Sequence, residues 1–222
     1  MRLSDVSYVN DLTPEEAMRL LRLESRRIWD DIDDKTWRNE LFEKTWEGKV
    51  PALSWMLAYD VLERLERGPE PETLIELLES VGVDRNYSYQ QWSKLSERQR
   101  KKVLQDIMSD LATEGFAKFL DAIAYGITLV ILPMDIKERR RVLKDTENKA
   151  IQFLNGEISF DELINYIVEL LSPLMRKRDF EAIAKGAALS KYLTKTELKK
   201  LVDKILVGKL DKELSKYPEP YW

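Results

Sequence analysis

The chain has 222 residues, 44% apolar and 34% charged, with a formal net charge of −4, which is enough apolar material for one large core or two small ones and too much for disorder. It contains no Cys and no His, which removes disulfides, thiolate zinc sites, cysteine nucleophiles, imidazole bases, Ser-His-Asp triads and His-ligated metals. Any remaining chemistry must use carboxylates, Lys, Tyr, Ser or an oxygen-bound hard cation, and nothing in the sequence calls for a cofactor.

The longest apolar run, residues 122–134, is shorter than the roughly 18 residues a membrane span needs, so no membrane partner is expected. The amino end shows no apolar core followed by a small-residue cleavage site, and the expected compartment is the cytoplasm. Sparse Gly, absent Cys and abundant Lys, Glu and Arg resemble the composition of proteins from hot habitats. Charge is distributed unevenly. Residues 1–93 carry 12 Lys and Arg against 20 Asp and Glu, residues 94–144 carry 11 against 7, and residues 145–222 carry 13 of each.

In chain order, apolar periodicity predicts helices near 14–32, 35–47, 51–67, 72–81, 97–132, 136–155, 160–171, 174–190 and 195–207. Four of the starts share one grammar, an apolar residue, then Ser or Thr, then Glu or Gln three residues on: Leu12-Thr13 with Glu16, Leu95-Ser96 with Gln99, Ile158-Ser159 with Glu162, and Leu193-Thr194 with Glu197. The hydroxyl accepts from the third helical amide while the Glu or Gln reaches back to the cap amide, so the orphan donors of a helix start are satisfied. Pro14 sits at a first helical position, where a missing amide costs nothing. Gly68-Pro69, Gly82, Asn155-Gly156, Ser172-Pro173 and Gly208 mark the expected stops. The fold class is therefore all-α, a bundle of about nine helices. The connection from Gly82 to Leu95, with Tyr87, Tyr89 and Trp92, divides it into an acidic subdomain, 1–94, and a second one, 95–222.

The helix from 97 carries the expected core: Val103, Leu104, Ile107, Met108, Leu111, Phe116, Phe119, Leu120, Ile123, Ala124 and Ile127 recur at steps of three and four. From Ala122 it is apolar nearly all round, which calls for burial within the chain or against a second copy. Ala122 and Gly126 would let a neighbouring helix come close. In the next helix Ile136, Leu143, Ala150, Ile151 and Leu154 form a seam on which Arg140 also falls, reaching past the core edge. Trp29, Trp37, Trp46 and Trp55 are read as packing residues.

Three groups of residues bear on function. Basic clusters at Arg98, Arg100, Lys101 and Lys102, at Lys137, Arg139, Arg140, Arg141 and Lys144, and at Arg176, Lys177 and Arg178 are candidates for phosphate contact, with Tyr87, Tyr89 and Trp92 nearby to stack bases. Solvated helix faces are the simpler reading in a chain that is acidic overall. The stretch from Leu95 resembles the first helix of a LuxR-type helix-turn-helix, but no tight turn and second short helix follow, and the likeness ends at the cap.

Glu40 with Glu43 and Asp60 with Glu63, each at i,i+3, resemble the Glu-x-x-Glu and Glu-x-x-Asp pairs of the MazG-type all-α nucleotide pyrophosphohydrolases. The resemblance implies a magnesium-dependent hydrolase. The second pair here reverses that order, and Leu57 stands where a Glu should precede Asp60. Asp60 with Arg64, Glu63 with Arg67 and Glu40 with Lys44 fall at i,i+4, so ordinary pairing accounts for these acids. The run Asp30, Asp31, Asp33 and Asp34 is read as a helix end whose last Asp caps the next helix. Finally, Tyr217-Pro218-Glu219-Pro220-Tyr221-Trp222 is an extended aromatic tail, suited to docking on a partner through Tyr217, Tyr221 and Trp222 or to packing on its own body.

These features predict a non-enzymatic helical interaction protein, an adaptor or assembly subunit that binds a protein partner, with nucleic acid a further candidate ligand of its basic middle. A magnesium-dependent hydrolase and a self-assembling homo-oligomeric subunit are the alternatives.

Overall fold

The computed structural model describes residues 52–67 and 92–218 of the chain. The expected helices at 14–32, 35–47 and 72–81, the Thr13 cap, and the stops at Gly68-Pro69 and Gly82 lie outside the described residues. So do Trp29, Trp37, Trp46, Tyr87, Tyr89 and the Asp30–Asp34 run. The described residues form seven α-helices and no strand: α1 (Ala52–Arg67), α2 (Glu97–Ile131), α3 (Ile136–Asn155), α4 (Phe160–Leu171), α5 (Lys177–Ala188), α6 (Lys195–Leu201) and α7 (Gly208–Leu214).

Three of the four predicted capping boxes fall here, and all three form. Gln99, Glu162 and Glu197 accept from the cap amides of Ser96, Ser159 and Thr194 at 2.8, 2.7 and 2.8 Å. Asp135 caps α3 by accepting from the Glu138 amide at 2.9 Å. At the other end of α3, Gly156 takes φ 82°, the left-handed cap that needs no Cβ.

Helix α2 touches every other helix among the described residues. Its expected face is buried apart from half-buried Met108, and the apolar stretch from Ala122 is covered within this chain as far as Ile131: Ala122, Ile123, Ala124, Gly126, Ile127, Val130 and Ile131 are buried, while Leu132 after them is exposed. Helix α1 belongs to the same core. Its Trp55 ring meets Phe119 edge-on at 5.9 Å, and the indole N–H donates to the Ala182 carbonyl at 2.7 Å. Burying an aromatic ring of this kind stabilises by about 2–3 kcal/mol. Helix α5 comes close because position 186 is Gly: a Cβ there would lie 2.2 Å from the Phe119 ring.

Three local expectations are corrected. Gly208 does not stop a helix. It sits at φ −60°, between one wide π-type turn, Val202–Val207, and α7, because Val202, Leu206, Val207 and Leu210 are all buried. Burying those side chains outweighs the roughly 1 kcal/mol helical cost of a glycine. The helix expected over 174–190 is shorter. Ser172–Leu174 make a single 3-10 turn, Arg176 is extended, and α5 starts at Lys177, where the Asp179 carboxylate accepts from the Arg176 amide at 2.7 Å. The seam of α3 is also rotated, since Leu143, Thr146, Ala150 and Phe153 are buried while Ile136 and Ile151 stay 64% and 39% exposed.

The helix directions follow from paired contacts. Phe153 meets Phe160 at 5.6 Å and Thr146 meets Tyr166 at 3.3 Å, so α4 runs antiparallel to α3 and its end approaches the level at which α3 begins. The segment from α6 to α7 runs back along α3. It starts where the Lys199 ammonium caps the Leu154 carbonyl and finishes where Arg140 donates to the Tyr217 carbonyl at 2.7 Å. One end of the bundle therefore collects the α2–α3 corner, the α4–α5 connection and Tyr217.

Candidate interaction surface

The first two basic clusters stand at opposite ends of α2. With 35 residues at about 1.5 Å each, that helix separates them by about 50 Å. They do not form one phosphate-binding face.

At the amino end, Arg100 is turned inward. Its Nε donates to the Trp92 carbonyl at 3.1 Å, its Nη2 donates to the Ser93 carbonyl at 3.2 Å, and the guanidinium lies 5.9 Å from the Trp92 ring. Lys101 pairs with Glu97 at 2.9 Å. Arg98 and Lys102 are exposed. A concavity of about 690 Å³ runs along Glu97, Arg98, Lys101, Lys102, Gln105 and Asp106. This lining carries both signs of charge and no apolar side chain.

At the corner the arginines close the fold. Arg139 Nε donates to the Met134 carbonyl at 2.7 Å, and its Nη2 donates to the Leu132 carbonyl. Both carbonyls lie in the connection between α2 and α3, beyond the reach of either helix's amide ladder. The Arg139 guanidinium also lies 5.7 Å from the Tyr217 ring, and Arg140, expected to pass the core edge, is half-buried and holds the Tyr217 carbonyl. The structure thus brings together two predicted sites, the Arg139–Arg140 cluster and the start of the aromatic tail. Tyr217 packs on the chain's own body; Tyr221 and Trp222 lie outside the described residues. Arg141 makes a long pair with Glu138 at 3.6 Å, and Lys137 is exposed with no ion-pair partner among the described residues.

The same end holds what sequence reasoning did not single out. Of the five large apolar side chains exposed among the described residues, four lie at the α2–α3 corner and around the α4–α5 connection: Leu132 at 54%, Ile136 at 64%, Leu174 at 39% and Phe180 at 43%. Arg176, Lys177 and Arg178 stand between the last two, exposed and without ion-pair partners among the described residues. The signal was present in the sequence as apolar residues flanking basic runs, but which of them face outward depends on tertiary packing.

The described acidic pair is held in ion pairs. Asp60 is bound by Lys185 at 2.9 Å and Glu63 by Arg67 at 2.8 Å; Glu40 and Glu43 lie outside the described residues. No group of three or more acids able to hold a metal occurs among the described residues. Lys191 sits over the rings of Tyr59 and Tyr192 at 5.3 and 4.6 Å and donates to Glu66 at 3.2 Å. The hydrogen bond with Tyr192 and then that with Glu66 raise its pKa above the ordinary lysine value. A lysine held charged in this way ties α1 to the turn after α5 and is a poor nucleophile.

No family model matches the sequence, and neither a curated protein nor a solved structure matches the chain. No helix among the described residues is long and apolar enough to cross a membrane.

Proposed function

We propose that the chain is a non-enzymatic helical interaction protein, an adaptor or assembly subunit, and that it meets its protein partner through the end of the bundle formed by the α2–α3 corner and the α4–α5 connection. The observation that carries this reading is that four of the five large apolar side chains exposed among the described residues belong to the α2–α3 corner and the α4–α5 connection. Exposed apolar area grouped in one place and rimmed by polar residues is the signature of an interface. The pairing of Asp60 and Glu63 with Lys185 and Arg67 supports the same reading, because a carboxylate already bound by an ammonium or guanidinium is a weaker ligand for magnesium.

Nucleic-acid binding through the basic middle is the weaker part of the proposal. Arg100, Arg139 and Arg140 already donate to carbonyls of this chain, and the remaining cations are divided between ends about 50 Å apart.

A photo-crosslinking amino acid placed at Ile136 in the native cells tests the reading. Covalent adducts to another protein, absent when the same group is placed at Ser109 midway along α2, are the expected result. Adducts to nucleic acid alone, or none, would overturn it.

A further inference from the structure

We infer that the docking end takes an acidic segment of a partner protein that also carries apolar side chains. This rests on the reading above and adds the partner's chemistry.

Among the described residues, positive charge is in excess at this end. Lys137, Arg176, Lys177 and Arg178 are exposed and without ion-pair partners among the described residues. Of the acids nearby, Asp135 accepts from the Glu138 amide, Glu138 pairs with Arg141, Glu181 pairs with Lys185 and Asp179 is buried against the Arg176 amide, while Glu169 is exposed with no ion-pair partner among the described residues. Cations without ion-pair partners among the described residues, beside exposed Leu132, Ile136, Leu174 and Phe180, call for carboxylates and apolar groups in one ligand, since charge alone would leave the apolar side chains wet and apolar contact alone would strand the cations. A nucleic-acid backbone supplies the charge but offers nothing to aliphatic Leu132, Ile136 and Leu174. An anionic membrane also offers both chemistries and is the competing outcome of the experiment.

The experiment is fluorescence anisotropy on the full chain with a labelled Glu/Leu/Phe peptide, beside a Glu/Ser peptide of equal charge, vesicles of phosphatidylserine and phosphatidylcholine, and a single-stranded oligonucleotide. The Glu/Leu/Phe peptide is expected to bind at least tenfold more tightly than the Glu/Ser peptide. Ile136→Ser and the double variant K137E/R178E, each checked for unchanged helicity by circular dichroism, are expected to weaken binding tenfold or more. All of these side chains are exposed, so the variants leave the core intact.

Equal affinity for the two peptides, preference for vesicles or oligonucleotide, unchanged binding in both variants, or no binding of the Glu/Leu/Phe peptide at millimolar concentration would each overturn the inference. If protein adducts still form at Ile136 while the peptide fails to bind, the interaction reading stands and only the acidic chemistry falls.

Discussion

The two ends of α2 carry similar basic sequences and use them differently. At the amino end the helix begins with a capping box that satisfies its amides locally, and most nearby cations remain at the surface. At the carboxyl end the connection to α3 holds carbonyls outside either helix, and Arg139 donates to them while Arg140 donates to Tyr217. A helix start can be completed by residues within the same turn, whereas this helix end is completed by guanidinium groups reaching back from the next helix. Clusters that look alike in sequence therefore need not share a role, and the division can be broken or sharpened by substitution.

The middle of α2 sets the scale. Gly186→Ala drives a methyl into the Phe119 ring, and the overpacking should lower stability by about 3 kcal/mol, read as a shift of the urea midpoint. A shift below about 0.5 kcal/mol would mean that α5 does not pack as described. Next comes the carboxyl end. Arg139→Ala leaves the Met134 and Leu132 carbonyls without their donor and should cost about 2 kcal/mol, with faster amide exchange at Tyr217. At the amino end, Ser96→Ala should cost about 1 kcal/mol by loss of the cap, with fraying confined to the first turn. Arg98→Ala and Lys102→Ala should each stay within about 0.5 kcal/mol, so a large loss there would erase the contrast between the ends.

A pH dependence near neutrality is expected at the contact of α7 with α3. Where α7 lies on α3, the hydrogen bond of Glu147 with Asp211, then burial, then the Asp211 charge raise the Glu147 pKa from the ordinary 4.5 to about 7. A folded-state pKa above the unfolded value means that the folded form holds the extra proton. Its stabilising effect is complete below about pH 4.5 and is lost as pH rises toward 7. Glu147→Gln keeps a donor toward Asp211 and has no proton to lose. Its melting temperature should therefore fall less than that of the parent between pH 5 and 8, and parallel profiles would contradict the shared proton.

The sequence made the helix starts legible because Ser96, Ser159 and Thr194 act on amides within one turn. It misjudged Gly208, where the buried stripe Val202–Leu206–Leu210 carries the helix through a residue that local propensity marks as a stop. It also missed the start of α5, because Asp179 caps from inside the helix while an Arg occupies the cap position. The interaction surface was only half visible. The basic runs could be counted, but the inward turn of Arg139 and Arg140 depends on Tyr217, more than seventy residues away. The level shared by Ile136 and the α4–α5 connection likewise depends on the antiparallel packing of α3 and α4.

The comparison of the two ends meets the proposed function in one measurement, an amide nitrogen–proton NMR titration of the labelled chain with the Glu/Leu/Phe peptide. Shifts confined to Leu132–Lys144, Leu174–Phe180 and Tyr217, with Arg98–Asp106 unmoved, are the predicted result. Shifts centred on Arg98–Asp106, or spread evenly over both basic ends, would contradict it.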